Sequence, residues 1–117
     1  MMTKSDPKAA PFTASERDLI RREFFRRFGQ EPQLAGGIFL RVWRSGPQEG
    51  QPKIPAAIQS MAARGFVEIR QVHKMAARAF FTEAGLTALR TLALDRRALN
   101  PEQYGHLRHE LGIDDGS

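Results

Sequence analysis

Between residues 53 and 78 the chain gathers five cations (Lys53, Arg64, Arg70, Lys74 and Arg78) against one acid, Glu68. Five minus one leaves a local balance of +4, the sign that contact with a phosphate backbone needs. Residues 83–117 run the other way, with four arginines against six acids, a balance of −2. Most of the net charge of +5 therefore falls in one segment. A plain solvated face is the other reading of that run. The cations are 14 Arg and 4 Lys. The planar arginine fork suits bidentate contacts with phosphate or guanine; a high-GC genome would give the same bias. Trp43, flanked by Arg41 and Arg44, could stack on a base or a partner, although a single Trp in a small domain is more often core.

Other chemistry finds little support. His106 and His109 stand at i, i+3, a spacing that can ligate a metal, but no third ligand joins them, so solvated helix histidines are expected. With no cysteine, disulfides, thiol catalysis and Cys-based zinc sites are absent. Gly46 to Gly50 lacks the Lys-Ser/Thr of a phosphate-binding loop. No Ser-His-Asp order stands out, and the carboxylates read as helix surface charges. The expectation is no enzyme, no metal and no cofactor.

The elements that must position the cations fit one domain. A chain of 117 residues can bury roughly two-thirds of its unfolded surface, enough for a modest core. Hydrophobic content of 41% and charged content of 26% are ordinary for a folded protein. No apolar run approaches the roughly 20 residues of a membrane span, and Met1 to Pro11 lacks the apolar stretch of a secretory signal. A cytoplasmic protein is expected.

Residues 1–12 read as a disordered tail, 13–112 as the domain and 113–117 as a frayed end. Thr13 and Glu16 have the form of a capping box, and Phe12 can staple onto Arg17 or Leu19. Leu19, Ile20, Phe24, Phe25 and Phe28 form a helical stripe, with Gly29 as its stop. Residues 34–44 fit a helix through Leu34, Ile38 and Val42, yet Ile38 to Trp43 would also pass as a strand; helix is preferred. Residues 45–53 form a loop, with two Gly and two Pro. A helix follows over about 54–64, with Pro55 in its first turn, Ile54 at its N-cap and Ile58, Met61 and Ala62 inward. Its first N–H groups lack a Ser, Thr, Asp or Asn cap. They could clamp a phosphate beside Lys53, or be capped by water or Gln51. Phe66 to Val72 and Arg78 to Thr82 then pair as a hairpin around a basic turn, His73 to Ala77. Thr82 caps a helix with Leu86, Leu89, Leu92 and Ala93 inward. Asn100 and Pro101 open a last helix, about 100–112.

The order is helix, helix, helix, strand, basic turn, strand, helix. The run from Ile58 through Arg64-Gly65-Phe66-Val67-Glu68 resembles a recognition helix entering a wing strand. Arg78-Ala79-Phe80-Phe81-Thr82, followed by Gly85-Leu86, resembles the return strand and the next helix. Over roughly residues 54–92 the chain is similar to MarR-type and PadR-type bacterial transcription regulators, which are winged helix-turn-helix proteins. The pattern is one of packing, so it speaks for the fold more than the function. Two features depart from it: Gly36-Gly37 in the first helix of the pair, and a link of about nine residues where three or four are usual.

The resemblance implies a mainly α fold with a small β-hairpin. It implies binding of double-stranded DNA by the helix at about 54–64 and a basic wing at about 66–82. Lys53, Gln59, Ser60 and Arg64 would meet the groove and its rim, with Gln suited to adenine. Arg70, Lys74 and Arg78 would meet phosphate or the minor groove. In the related regulators flanking helices make a homodimer; here Tyr104, Leu107 and Leu111 would be the contacts, or would pack within the chain. The alternative is a winged-helix module that binds protein, marked by an apolar patch around Trp43 with no continuous basic strip.

Overall fold

The computed structural model describes residues 12–74 and 76–113. Of the tails expected at 1–12 and 113–117, residues 1–11 and 114–117, with Met75 of the basic turn, lie outside the described residues; Phe12 and Ile113 are not tail, since Phe12 is buried and Ile113 packs against the core. Helix α1, Ala14–Phe24, starts on the expected capping box: the Glu16 N–H donates to Thr13 Oγ1 (3.2 Å), and the Thr13 N–H donates to Glu16 Oε1 (2.9 Å). Phe12 belongs to the core, where it meets Phe66 edge-on at 5.5 Å.

The helix stops sooner than its apolar stripe suggests. Phe25 turns to an extended conformation, and the Arg26 N–H donates to the Gln103 carbonyl at 3.1 Å. Phe28 then sits 96% exposed at φ 50°, in a tight turn closed by Arg27 and Gln30. A contact distant in sequence ended the helix before Gly29 could.

Residues 34–44 are not the preferred helix. They form a 3-10 turn, Leu34–Gly36, and strand β1, Ile38–Leu40. Burial alternates through the stretch: Ile38, Leu40 and Val42 are inward, and Phe39, Arg41 and Trp43 outward. The outer face of a sheet sets this period of two. Gly37 makes the switch, at φ 73°; a Cβ there would stand 2.9 Å from the Ala79 carbonyl and from the Phe80 ring. Glu110 accepts from the N–H groups of Leu34 (2.7 Å) and Ala35 (2.9 Å) and so ties the turn to the last helix.

The loop before the next helix is a short ribbon. Val42 bridges Pro52, and the Lys53 N–H donates to the Arg41 carbonyl at 2.7 Å. Helix α2, Ala56–Ala63, has Pro55 as N-cap rather than Ile54, with no side-chain cap. Arg64 follows, then Gly65 at φ 78°. Strands β2, Val67–His73, and β3, Ala76–Phe81, make the expected hairpin. The sheet has a third strand that the sequence reading lacked: β1 pairs with β3, giving the antiparallel order β1-β3-β2.

Helix α3, Glu83–Ala93, is capped by Thr82, which accepts from the Gly85 N–H at 3.1 Å. Helix α4, Pro101–Glu110, is capped by Asn100, which accepts from the Gln103 N–H at 2.8 Å. The result is an α+β domain, with four α-helices and one three-stranded antiparallel sheet among the described residues. None of these helices is long and apolar enough to cross a membrane.

Tyr104, Leu107 and Leu111 are 3%, 0% and 3% exposed. The Tyr104 hydroxyl donates to the Arg21 carbonyl at 2.7 Å. Their assignment as dimer contacts is therefore corrected: they fill the core of one chain, because α4 folds back against the end of α1.

Candidate nucleic-acid interface

The outer face of the sheet carries rings and cations in register. Phe39 lies opposite Arg78 on β3, and Arg78 lies opposite Arg70 on β2. The Arg78 guanidinium is 5.8 Å from the Phe39 ring centre, and that of Arg70 is 4.9 Å from the Phe80 ring. On the ribbon beyond β1, the Lys53 ammonium stands 4.5 Å above the Trp43 ring. Trp43 is 41% exposed and Phe39 54%, so the chain's single Trp is not core. Glu68, the one acid in the three strands, pairs with Arg70 at 2.8 Å. A cation over an aromatic face is held by the ring quadrupole, at about 0.5–1 kcal/mol in an exposed site.

A cleft of about 630 Å³ joins this face to the start of α2. Phe39, Arg41, Trp43, Lys53 and Gln59 line it. A second hollow of about 640 Å³ shares Phe39, Arg41, Trp43 and Lys53 and adds Arg44. The structure thus brings Lys53 and Gln59 together, although the Gln59 amide also donates to the Ile54 carbonyl at 2.9 Å.

Ser60 and Arg64 belong to another cluster. The Ser60 hydroxyl donates to Glu16 Oε2, and Arg64 Nη2 donates to Glu16 Oε1. Glu16 is fully buried. Burial pushes its carboxyl up, but hydrogen bonds from Arg64, Ser60 and the Thr13 N–H, with the Arg64 charge, outweigh that and hold it below its ordinary value of 4.5. The two residues expected at the groove thus also fasten α2 to α1. Lys74 is exposed at the hairpin end, where its carbonyl accepts from Gln71 at 3.1 Å.

The seven expected residues therefore divide into three groups: Lys53 and Gln59 at the cleft, Ser60 and Arg64 on Glu16, and Arg70, Lys74 and Arg78 on the hairpin. Phe39, Phe80 and Glu16 carry roles that sequence reasoning missed. The alternation from Ile38 to Trp43 was the available signal for Phe39; nothing local marks Glu16 beyond its cap. His106 is a further correction. It is not a solvated histidine: it is half-buried, with Nε2 at 2.9 Å from the Phe24 carbonyl. His109 is exposed. The described residues hold no group of three or more His, Asp or Glu side chains placed to bind a metal. No family model, curated protein or solved structure matches the chain.

Proposed function

We propose that the chain is a winged-helix-type domain that binds double-stranded DNA in the cytoplasm and acts in transcriptional regulation. In this reading α2 is the reading helix and the β2–β3 hairpin the wing. One observation carries it: each of the rings Trp43, Phe39 and Phe80 has a cation over it, Lys53, Arg78 and Arg70 respectively. The face is a basic strip, and a polyanion is the partner that complements it. The rival reading, a protein-binding module, expects an apolar patch around Trp43 with no continuous basic strip, whereas Lys53, Arg78 and Arg70 stand along this face.

The order β1, α2, β2, β3, with β1 beside β3, also supports a winged helix. The helix-turn-helix pair is incomplete, since a 3-10 turn and β1 stand where its first helix was expected. Glu16 braces α2 against α1 instead. Ala56, Gln59 and Ala63 are exposed on α2; small side chains allow close approach, and Gln pairs with adenine.

The test is a fluorescence-anisotropy titration against random duplex DNA at about 50 and 200 mM salt. Affinity should fall steeply between the two. Replacing Arg70, Lys74 and Arg78 with Ala should weaken binding across all sequences and flatten the salt slope by about 0.9 per lost contact. Unchanged affinity in that triple variant removes the wing assignment. No binding at the lower salt removes duplex DNA.

A further inference from the structure

We infer that the outer face of the sheet is a stacking site for the unpaired bases of a single-stranded nucleic acid, with Phe39 and Trp43 as the platforms. The ligand differs from the duplex proposed above, and the inference does not need α2 to enter a groove.

Phe39 and Trp43 alternate with buried neighbours, so the pleat holds them out to solvent. Phe39 is 54% exposed and Trp43 41%; Arg78 and Lys53 stand over one face of these rings, so a base would stack on the opposite face. In a duplex the base faces are already stacked on one another. An unpaired base presents its face, and base-on-aromatic stacking takes any base.

The charges fit the same ligand. Arg78 and Arg70 lie in one row beside Phe39, on strands about 4.8 Å apart. Lys53 stands over one face of Trp43. Cations thus lie within a few ångströms of both rings, close enough to meet the phosphates of a strand stacked there. Glu68 already pairs with Arg70 at 2.8 Å; a peptide partner would answer Arg78 and Lys53 only if it were acidic, and it would have no use for rings spaced along a cationic row. The two hollows that share Phe39, Arg41, Trp43 and Lys53 fall within the size range of small-ligand sites.

Trp43 is the only Trp in the chain, so intrinsic fluorescence reports on the platform itself. The full chain is titrated with a thymidine strand and a uridine strand of about twelve nucleotides, a length within the site sizes of such proteins. An abasic strand of equal length and the corresponding duplex complete the set. Both base-bearing strands should quench Trp43. Either should bind at least about tenfold tighter than the abasic strand, the order expected for stacking. Tighter binding of one marks a preference for its sugar or its base methyl; equal binding means neither is read; both support the site. Phe39→Ala should lose about tenfold in single-strand affinity. Phe39→Leu, which keeps apolar bulk without a π-face, should lose a similar factor at an unchanged melting temperature. Trp43→Phe, followed by anisotropy of a labelled strand, should retain binding.

Equal affinity for abasic and base-bearing strands, no quenching, or Phe39→Leu binding like the parent overturns the inference. A chain that binds thymidine strands but not duplex loses the duplex reading and keeps this one. The opposite result does the reverse.

Discussion

Glu16 shows how one side chain can answer for two elements. Its carboxylate caps α1 through Thr13 and holds α2 through Ser60 and Arg64. Its folded value lies below 4.5, so the unfolded chain takes up this proton first on acidification. The stabilisation is present above about 4.5 and is lost as pH falls through the lower folded value. Glu16→Gln should therefore cost about 2 kcal/mol at neutral pH, the scale of hydrogen bonds to a charged group. The gap from the parent should close as the acid window is crossed. Urea denaturation across that pH range reads both; a gap that stays constant with pH would contradict the assignment. The capping box was legible in the sequence because Thr13 and Glu16 are three residues apart. Its second use was not, because Ser60 and Arg64 lie more than forty residues away.

Elements fit each other here through small residues. Gly85, in the first turn of α3, packs on the end of the segment that enters β2. A Cβ at Gly85 would stand 2.0 Å from the Phe66 carbonyl oxygen, and that oxygen already accepts from the Thr82 N–H at 2.9 Å. Gly85→Ala should force α3 away from the sheet and cost about 3 kcal/mol, at the upper end of overpacking. Gly105 in α4 is the control, since a Cβ there meets nothing closer than the Arg26 side chain at 3.9 Å. Gly105→Ala should be neutral or stabilise by up to about 1 kcal/mol. Thermal melts of the two variants should move in these different senses. The hairpin and the capped helices were legible from alternation and caps. Residues 34–44 were not, because Leu34, Ile38 and Val42 satisfy both periods, and pairing with β3 decided for a strand.

At the scale of the molecule, α4 closes the core. Leu107 is fully buried, and Arg108 reaches inward to donate to the carbonyls of Ala93 (2.5 Å) and Leu99 (2.9 Å). Leu107→Ala should cost about 3 kcal/mol by leaving a cavity. If the core reading holds, the shift in urea midpoint will be the same at low and high protein concentration. A shift that grows on dilution would instead mark Leu107 as an interface residue. The charge is divided on the same scale: the segment 53–78 is basic, while 83–117 is acidic. Binding of any polyanion should accordingly depend on the sheet side and be indifferent to exposed changes on α4 such as His109→Ala, which a competition titration checks.

What the sequence determined by itself is local. Thr13, Thr82 and Asn100 set three helix starts, since a cap needs only its own next few residues. Val67 to Phe81 set a hairpin for a similar reason. The excess of cations between 53 and 78 is a matter of counting. Only the tertiary structure decided the remainder. It ended α1 at a hydrogen bond to Gln103, turned β1 into the third strand, and sent the stripe of α4 inward rather than to a partner. It also drew Ser60 and Arg64 onto Glu16 and set Lys53 above Trp43. Each of these depends on groups distant along the chain, whose meeting is settled by packing, not by the propensity of any one segment.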